Sequence, residues 1–151
     1  DLNHNFDAGW RIAHQMEQDA GIVGPAPTRY GGVHPHSEPE TMAITTFCMT
    51  YRPKSLYALH SQGEEIYWQY SRNTPAHSRM MARILAFSSG YALAKPAEMA
   101  SHAGLKDWFI EKLRLPGFTI EVGLGKNPLG LELLERIYDK IEEMLMIATL
   151  L

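Results

Sequence analysis

The sequence predicts an α/β domain, a sheet covered by helices, and three observations carry that prediction. Apolar residues recur at helical spacing in several segments. Phe118-Thr119-Ile120-Glu121-Val122 alternates as a strand does, and Ser55-Leu56-Tyr57-Ala58-Leu59-His60 is a short apolar run. These segments follow one another without an internal repeat, the pattern of a sheet packed against helices.

Asp1 to Trp10 reads as a strand end running into a loop, and Arg11 to Asp19 as a short helix. Gly21 to Pro35 is rich in Gly and Pro and reads as a long ordered loop, with Ile22, Val23 and Tyr30 interspersed. Ser37 caps the next helix, Glu40 closes a capping box, and Pro39 is tolerated in the first turn. Ile44, Phe47, Cys48 and Tyr51 form its apolar face, and Pro53 ends it. Ser55 to His60 reads as a buried strand whose end, His60-Ser61-Gln62-Gly63, opens into a site; Glu64-Glu65 reads as a solvated turn. Ala76 to Phe87 places Met80, Met81, Ile84 and Leu85 on a helical face. Leu105 to Leu113 is a further helix, with Leu105, Trp108, Phe109 and Leu113 inward, broken by Pro116-Gly117. After the strand Phe118 to Val122, the longest helix runs from Leu131 to about Leu150, with Leu134, Ile137, Tyr138, Ile141, Leu145 and Ala148 on its face.

Composition narrows the function. Apolar residues make up 45% and charged residues 21%, ordinary for a folded globular domain. The net charge is −3 and no Lys/Arg cluster occurs, which argues against nucleic acid as a partner. The single cysteine, Cys48, excludes an internal disulfide framework and a Cys-rich zinc finger, and leaves the compartment open. No membrane span is expected: the longest apolar run, Met144 to Leu151, contains Thr149 and falls far short of the ~20 residues a bilayer needs.

Glu121 is the most informative residue. In an otherwise apolar strand, a buried carboxylate gains proton affinity and suits proton transfer near neutrality. The alternative is a solvent-facing glutamate sharing a face with Thr119. His60 ends a strand, where α/β sheets bind ligands, and imidazole is a common zinc ligand; the alternative is a histidine satisfied at a strand–loop junction. His14 and Glu17, spaced H-x-x-E, read as the surface of an amphipathic helix. His34-Pro35-His36 reads as a turn, His77 and His102 as exposed helix approaches, and Cys48 as core.

Five short segments, in order, carry a further reading. Asp1-Leu2-Asn3-His4-Asn5-Phe6-Asp7 looks like a D-x-N-R-N-[FW] motif. Tyr30-Gly31-Gly32 with Ser37-Glu38-Pro39-Glu40-Thr41 looks like a G…S-E-x-E helix start. Leu59-His60-Ser61 matches a strand end bearing a zinc ligand, Gly104-Leu105-Lys106-Asp107-Trp108 a G-[ST]-x-D-W turn, and Phe118-Thr119-Ile120-Glu121 an [FY]-T-x-E strand. Together they resemble the zinc carboxypeptidase family of the carboxypeptidase A type. His60-Ser61-Gln62-Gly63-Glu64 and the stretch Pro116 to Leu129 resemble its bacterial branch that cleaves γ-D-glutamyl bonds to L-diamino acids in peptidoglycan peptides.

The resemblance implies a three-layer α/β/α fold with a mixed sheet and one zinc ion. His60 would be a metal ligand and Glu121 the general base that later protonates the leaving amine. Substrate contacts would come from Asn3, His4, Ser61, Met99 and Lys106. His4 stands where the family has an arginine that binds a terminal carboxylate, so strict carboxypeptidase specificity is not expected. Met99 stands at the mobile capping tyrosine and has no hydroxyl to donate. Lys106 stands at the base of the specificity pocket, where it either meets an acidic group or is a surface lysine at a helix start.

In the family an H-x-x-E zinc pair and an oxyanion arginine precede the D-x-N-R-N motif. Both are expected before residue 1; His14 and Glu17 follow the motif and are not that pair. The opening, a dense polar motif without an initiator Met, leads to the same expectation: residues 1–151 are the C-terminal portion of one catalytic domain whose N-terminal part is missing. Such a portion is expected to be inactive alone and to self-associate through exposed sheet edges. The expected partner is a peptide derived from peptidoglycan. The competing readings are an ordinary metallocarboxypeptidase and a non-catalytic fragment that binds peptides between His60 and Glu121 without a metal.

Overall fold

The computed structural model describes residues 1–97 and 100–151. The strand foreseen from alternation, β4 (Gly117–Glu121), lies inside the sheet and has a neighbour on each side. The helices are α1 (Trp10–Asp19), α2 (Pro39–Tyr51), α3 (Ser78–Ser89), α4 (Leu105–Leu113) and α5 (Leu134–Ala148). The other strands are β1 (Leu56–His60), β2 (Glu65–Tyr67) and β3 (Ala92–Leu93), in the sheet order β1-β4-β2-β3. β1 and β4 run parallel, β2 and β4 antiparallel, and β2 and β3 parallel, so the sheet is mixed as expected.

Alternation sorts side chains to two faces. Tyr57, Ile66, Phe118 and Ile120 point to one, where they pack with Met81, Ala82 and Leu85 of α3 and Ile141, Met144 and Ala148 of α5. Phe118 and Ile120 are wholly buried, each stabilising the fold by ~1.5–3 kcal/mol. On the other face Leu56 meets a second cluster: Phe6, Ala8, Cys48 of α2, and Trp108, Phe109 and Leu113 of α4. Helices thus cover both sides of the sheet.

Several local expectations need correction. Residues 1–10 form no strand: Leu2–His4 is a 3₁₀ turn capped by the Asp1 carboxylate. The capping box at Ser37 does not form. Glu38 occupies the cap position, and the Ser37 hydroxyl donates to the Glu38 carboxylate at 2.6 Å. The inner face of α2 is Thr41, Thr45 and Cys48, while Phe47 and Tyr51 lie exposed. The reason is polar: Thr41 donates to Asn5 Oδ1 at 2.7 Å, which turns the threonine side of the helix inward. On α3, Ala82 and Ser89 are buried and Met80 is exposed; on α5, Leu134 and Tyr138 are exposed. β1 is an edge strand and half-buried, not a buried one. Glu65 opens β2 rather than a solvated turn, and Glu64 pairs with Lys140 of α5 at 2.6 Å.

Asn5, fully buried, organises the long loop. Its amide donates to Gly31 O (2.6 Å), His34 O (3.0 Å) and Ser37 Oγ (2.9 Å), and its carbonyl accepts from Glu38 N (3.2 Å) and Thr41 Oγ1. Gly32 has φ +84°, and a Cβ there would run into Ser37 Oγ and Asn5 Nδ2. The Gly-Pro-rich segment is therefore held by one side chain that repeats none of its own periodicity.

Asn5→Ala strands buried donors and acceptors on both sides of that loop. The expected loss is ~2–4 kcal/mol of stability in urea denaturation. A loss under about 1 kcal/mol would show that the loop is held by something else.

Candidate functional site

Strand register builds the site. In the parallel pair β1/β4, His60 lies opposite Glu121; in the antiparallel pair β2/β4, Glu65 lies opposite Glu121. Register partners project to the same face, so His60, Glu121 and Glu65 form a row across the sheet. One step below, Ala58, Thr119 and Tyr67 form the next row on that face. The two residues singled out from sequence, 61 positions apart, are thereby brought side by side.

The rim above this row comes from the loops that follow β1 and β4. Ser61 Oγ donates to Asn127 Oδ1 at 2.9 Å, and Asn127 Nδ2 donates to Ser61 O at 2.7 Å. Gly63 N donates to Gly123 O at 2.8 Å, and Gly125 N to Gln62 Oε1 at 3.2 Å. Gly63 lies over the carboxylate row: a Cβ there would stand 3.6 Å from Glu121 Cβ and 3.7 Å from Glu65 Cγ.

Electrostatics follow from burial. Burial raises the proton affinity of Glu121, and the negative charge of Glu65 raises it further. Glu121 is half-buried, which lies between the buried and the solvent-facing readings of this residue. Burial lowers the pKa of His60, which favours the neutral imidazole, the form that binds metals. Burial and the adjoining Glu65 push the Tyr67 phenol far up; it stays neutral and donates to Glu65 Oε2 at 2.9 Å.

Among the described residues, the other sequence-derived candidates are anchored. Asn3 Oδ1 accepts from Leu105 N at 3.0 Å, at the start of α4. His4 is buried, with Nδ1 3.1 Å from Glu17 Oε1. Glu17 is itself fully buried, accepts from Gly31 N at 3.2 Å and lies 3.5 Å from His14 Nδ1. The His14–Glu17 spacing is therefore not a helix surface, and Glu17 is a buried acceptor that sequence spacing alone did not reveal. Lys106 is 4% exposed, so it is no surface lysine. Its ammonium sits 2.5 Å from Asp107 Oδ1, donates to Gln69 O at 3.0 Å and lies 5.7 Å from the centre of the Tyr70 ring. Beside it a cavity of about 340 Å³ is lined by Gln69, Tyr70, Ser71, Lys95 and His102. Met99 lies outside the described residues.

Toward a metal, His60 offers a neutral imidazole, with the Glu121 carboxylate beside it on the same face. Among the described residues no set of three His, Cys, Asp or Glu side chains is arranged to hold an ion.

Comparison with known proteins shows the family and the fold. The zinc carboxypeptidase family profile matches residues 1–145. The chain is 36% identical over 140 residues to the gamma-D-glutamyl-L-diamino acid endopeptidase 1 of Lysinibacillus sphaericus, covering 93% of this chain and 34% of that protein. It spans about a third of the length of the curated relatives it matches. Its fold is similar to carboxypeptidase A from Helicoverpa armigera (TM-score 0.68, 16% identity, 99% of this chain and 41% of that one). It is also similar to the murein-tripeptide amidase MpaA from Escherichia coli O157 (TM-score 0.60, 20% identity, 99% of this chain and 57% of that one).

Two titrations check the electrostatics. The His60 ring protons in NMR should titrate below the usual 6.5. Glu121 binds its proton more tightly folded than unfolded, so its contribution to stability is present below about pH 4.5 and lost as pH rises through the folded value. Glu121→Gln carries no such dependence. Its stability relative to the parent should rise from about pH 4 to about pH 7; a flat difference would place Glu121 in solvent.

Proposed function

We infer function from one premise: this chain belongs to the zinc carboxypeptidase family. We propose that it forms part of a zinc-dependent peptidase that hydrolyses the γ-D-glutamyl bond to a diamino acid in peptidoglycan stem peptides. The observation that carries this reading is the paired register of His60 and Glu121 on one face of the sheet. The relative named for gamma-D-glutamyl-L-diamino acid cleavage supports the choice of bond.

Zinc, when bound, supplies Lewis acidity toward a carbonyl oxygen and toward water. His60 offers it a neutral imidazole, and the remaining donors are proposed to come from outside residues 1–151. The Glu121 carboxylate takes a proton from the attacking water and delivers it to the leaving amine nitrogen. Its raised proton affinity, from burial and then Glu65, suits a group that must hold a proton between two steps. Asn3, His4, Ser61 and Lys106 are the substrate-facing residues of this reading. Each is already held by a partner, so none must be ordered when a peptide arrives. His4, shorter than arginine and engaged by Glu17, gives a weaker hold on a free terminal carboxylate.

The complete zinc-loaded protein should cleave a γ-D-glutamyl-diaminopimelate peptide, and Glu121→Gln should lower kcat by ~10²–10⁴-fold with zinc content unchanged. His60→Ala should lower the zinc content itself. Residues 1–151 alone should show no measurable turnover and, with the outer edge of β1 unpaired among the described residues, should self-associate on size-exclusion chromatography. Cleavage that demands a free C-terminal carboxylate, tested with the matching amide, would instead assign an ordinary metallocarboxypeptidase. Full turnover by Glu121→Gln would refute the acid–base role.

A further inference from the structure

We infer that Glu65 is a specificity-determining residue whose carboxylate receives the side-chain ammonium of a diamino-acid residue in the substrate, an assignment that rests on the peptidase reading above. Glu65 is placed for it by register: it stands opposite Glu121 across the antiparallel pair, on the face that carries His60. It is half-buried, so its charge is only partly screened by water. The Tyr67 hydroxyl donates to Glu65 Oε2 at 2.9 Å and fixes the direction of the carboxylate, leaving lone pairs on both oxygens.

The charge balance at this row of the sheet is unmet. Among the described residues, buried Asp107 pairs with Lys106, buried Glu17 with His4 and His14, and half-buried Glu64 with Lys140, while half-buried Glu38 and Glu111, before α2 and on α4, accept from the Ser37 and Ser71 hydroxyls. Neither Glu65 nor Glu121 belongs to an ion pair of the described residues. Glu121 is assigned to the proton and Glu65 is not needed for it. Two adjacent carboxylates repel an acidic side chain and attract an ammonium, so they discriminate in both directions. Gly63 adds room: it has no side chain above the pair, where a Cβ would stand 3.6 Å from Glu121 Cβ and 3.7 Å from Glu65 Cγ. In sequence Glu64-Glu65 reads as a solvated turn, because β2, three residues long, leaves no period to detect.

The test compares two γ-D-glutamyl peptides in the complete zinc-loaded protein, one with L-lysine after the scissile bond and one with norleucine, which has the same carbon chain and no amine. The parent should favour lysine in kcat/KM by roughly 10–100-fold. Glu65→Gln should bring that ratio below about 3. Tyr67→Phe, which frees the carboxylate, should lower it at least about threefold and carries the test if Glu65→Gln fails to fold. A parent ratio near one, or a ratio unchanged in the folded variants, overturns the assignment and leaves the peptidase reading standing. Failure to cleave either peptide overturns both.

Discussion

The parallel pairing of β1 with β4 is the constraint on which the site depends. Side chains on a strand alternate, so a slip of one residue in either strand would send His60 and Glu121 to opposite faces. The register is not chosen by those polar residues. Phe118 and Ile120 on β4, stacked with Tyr57 of β1 and packed against α3 and α5, bury the other face, and that apolar burial holds the phase. The chemistry of one face is therefore indexed by the core on the other. This also explains how a half-buried carboxylate is tolerated mid-sheet: the apolar face stabilises the arrangement in which Glu121 must sit.

A second, polar constraint acts around Asn5 and Glu17. Asn5 gathers Gly31, His34, Ser37, Glu38 and Thr41, and Glu17 gathers His4, His14 and Gly31. Both acceptors are fully buried and well supplied with donors, the condition under which buried polar groups specify a unique loop. Asn3 and His4 precede Asn5 directly, so the segment that anchors the loop also positions the residues assigned to substrate. On the proposed reading, one stretch of chain would serve both stability and recognition.

What the sequence reveals depends on whether its signal is local. The limits of α4 agree with the reading from the apolar spacing and from Pro116-Gly117, because both are local signals that need no tertiary help. β4 was legible because five alternating residues suffice for a period of two. β2 and β3, three and two residues long, leave no period to detect. The inner face of α2 was misread because Thr41 and Thr45 turn toward a side chain distant in sequence. His60 and Glu121 were found by strand position and by resemblance. Glu17 was missed because its partner His4 lies 13 residues away in another element. Lys106 needed Asp107 and Gln69 to show that it is interior.

The cross-links between the segments after β1 and β4 have a dynamic consequence. Ser61, Gln62 and Gly63 are tied to Asn127, Gly125 and Gly123 by four hydrogen bonds. The two loops, far apart in the polymer, are thereby coupled, and a displacement of either would load the bonds to the other.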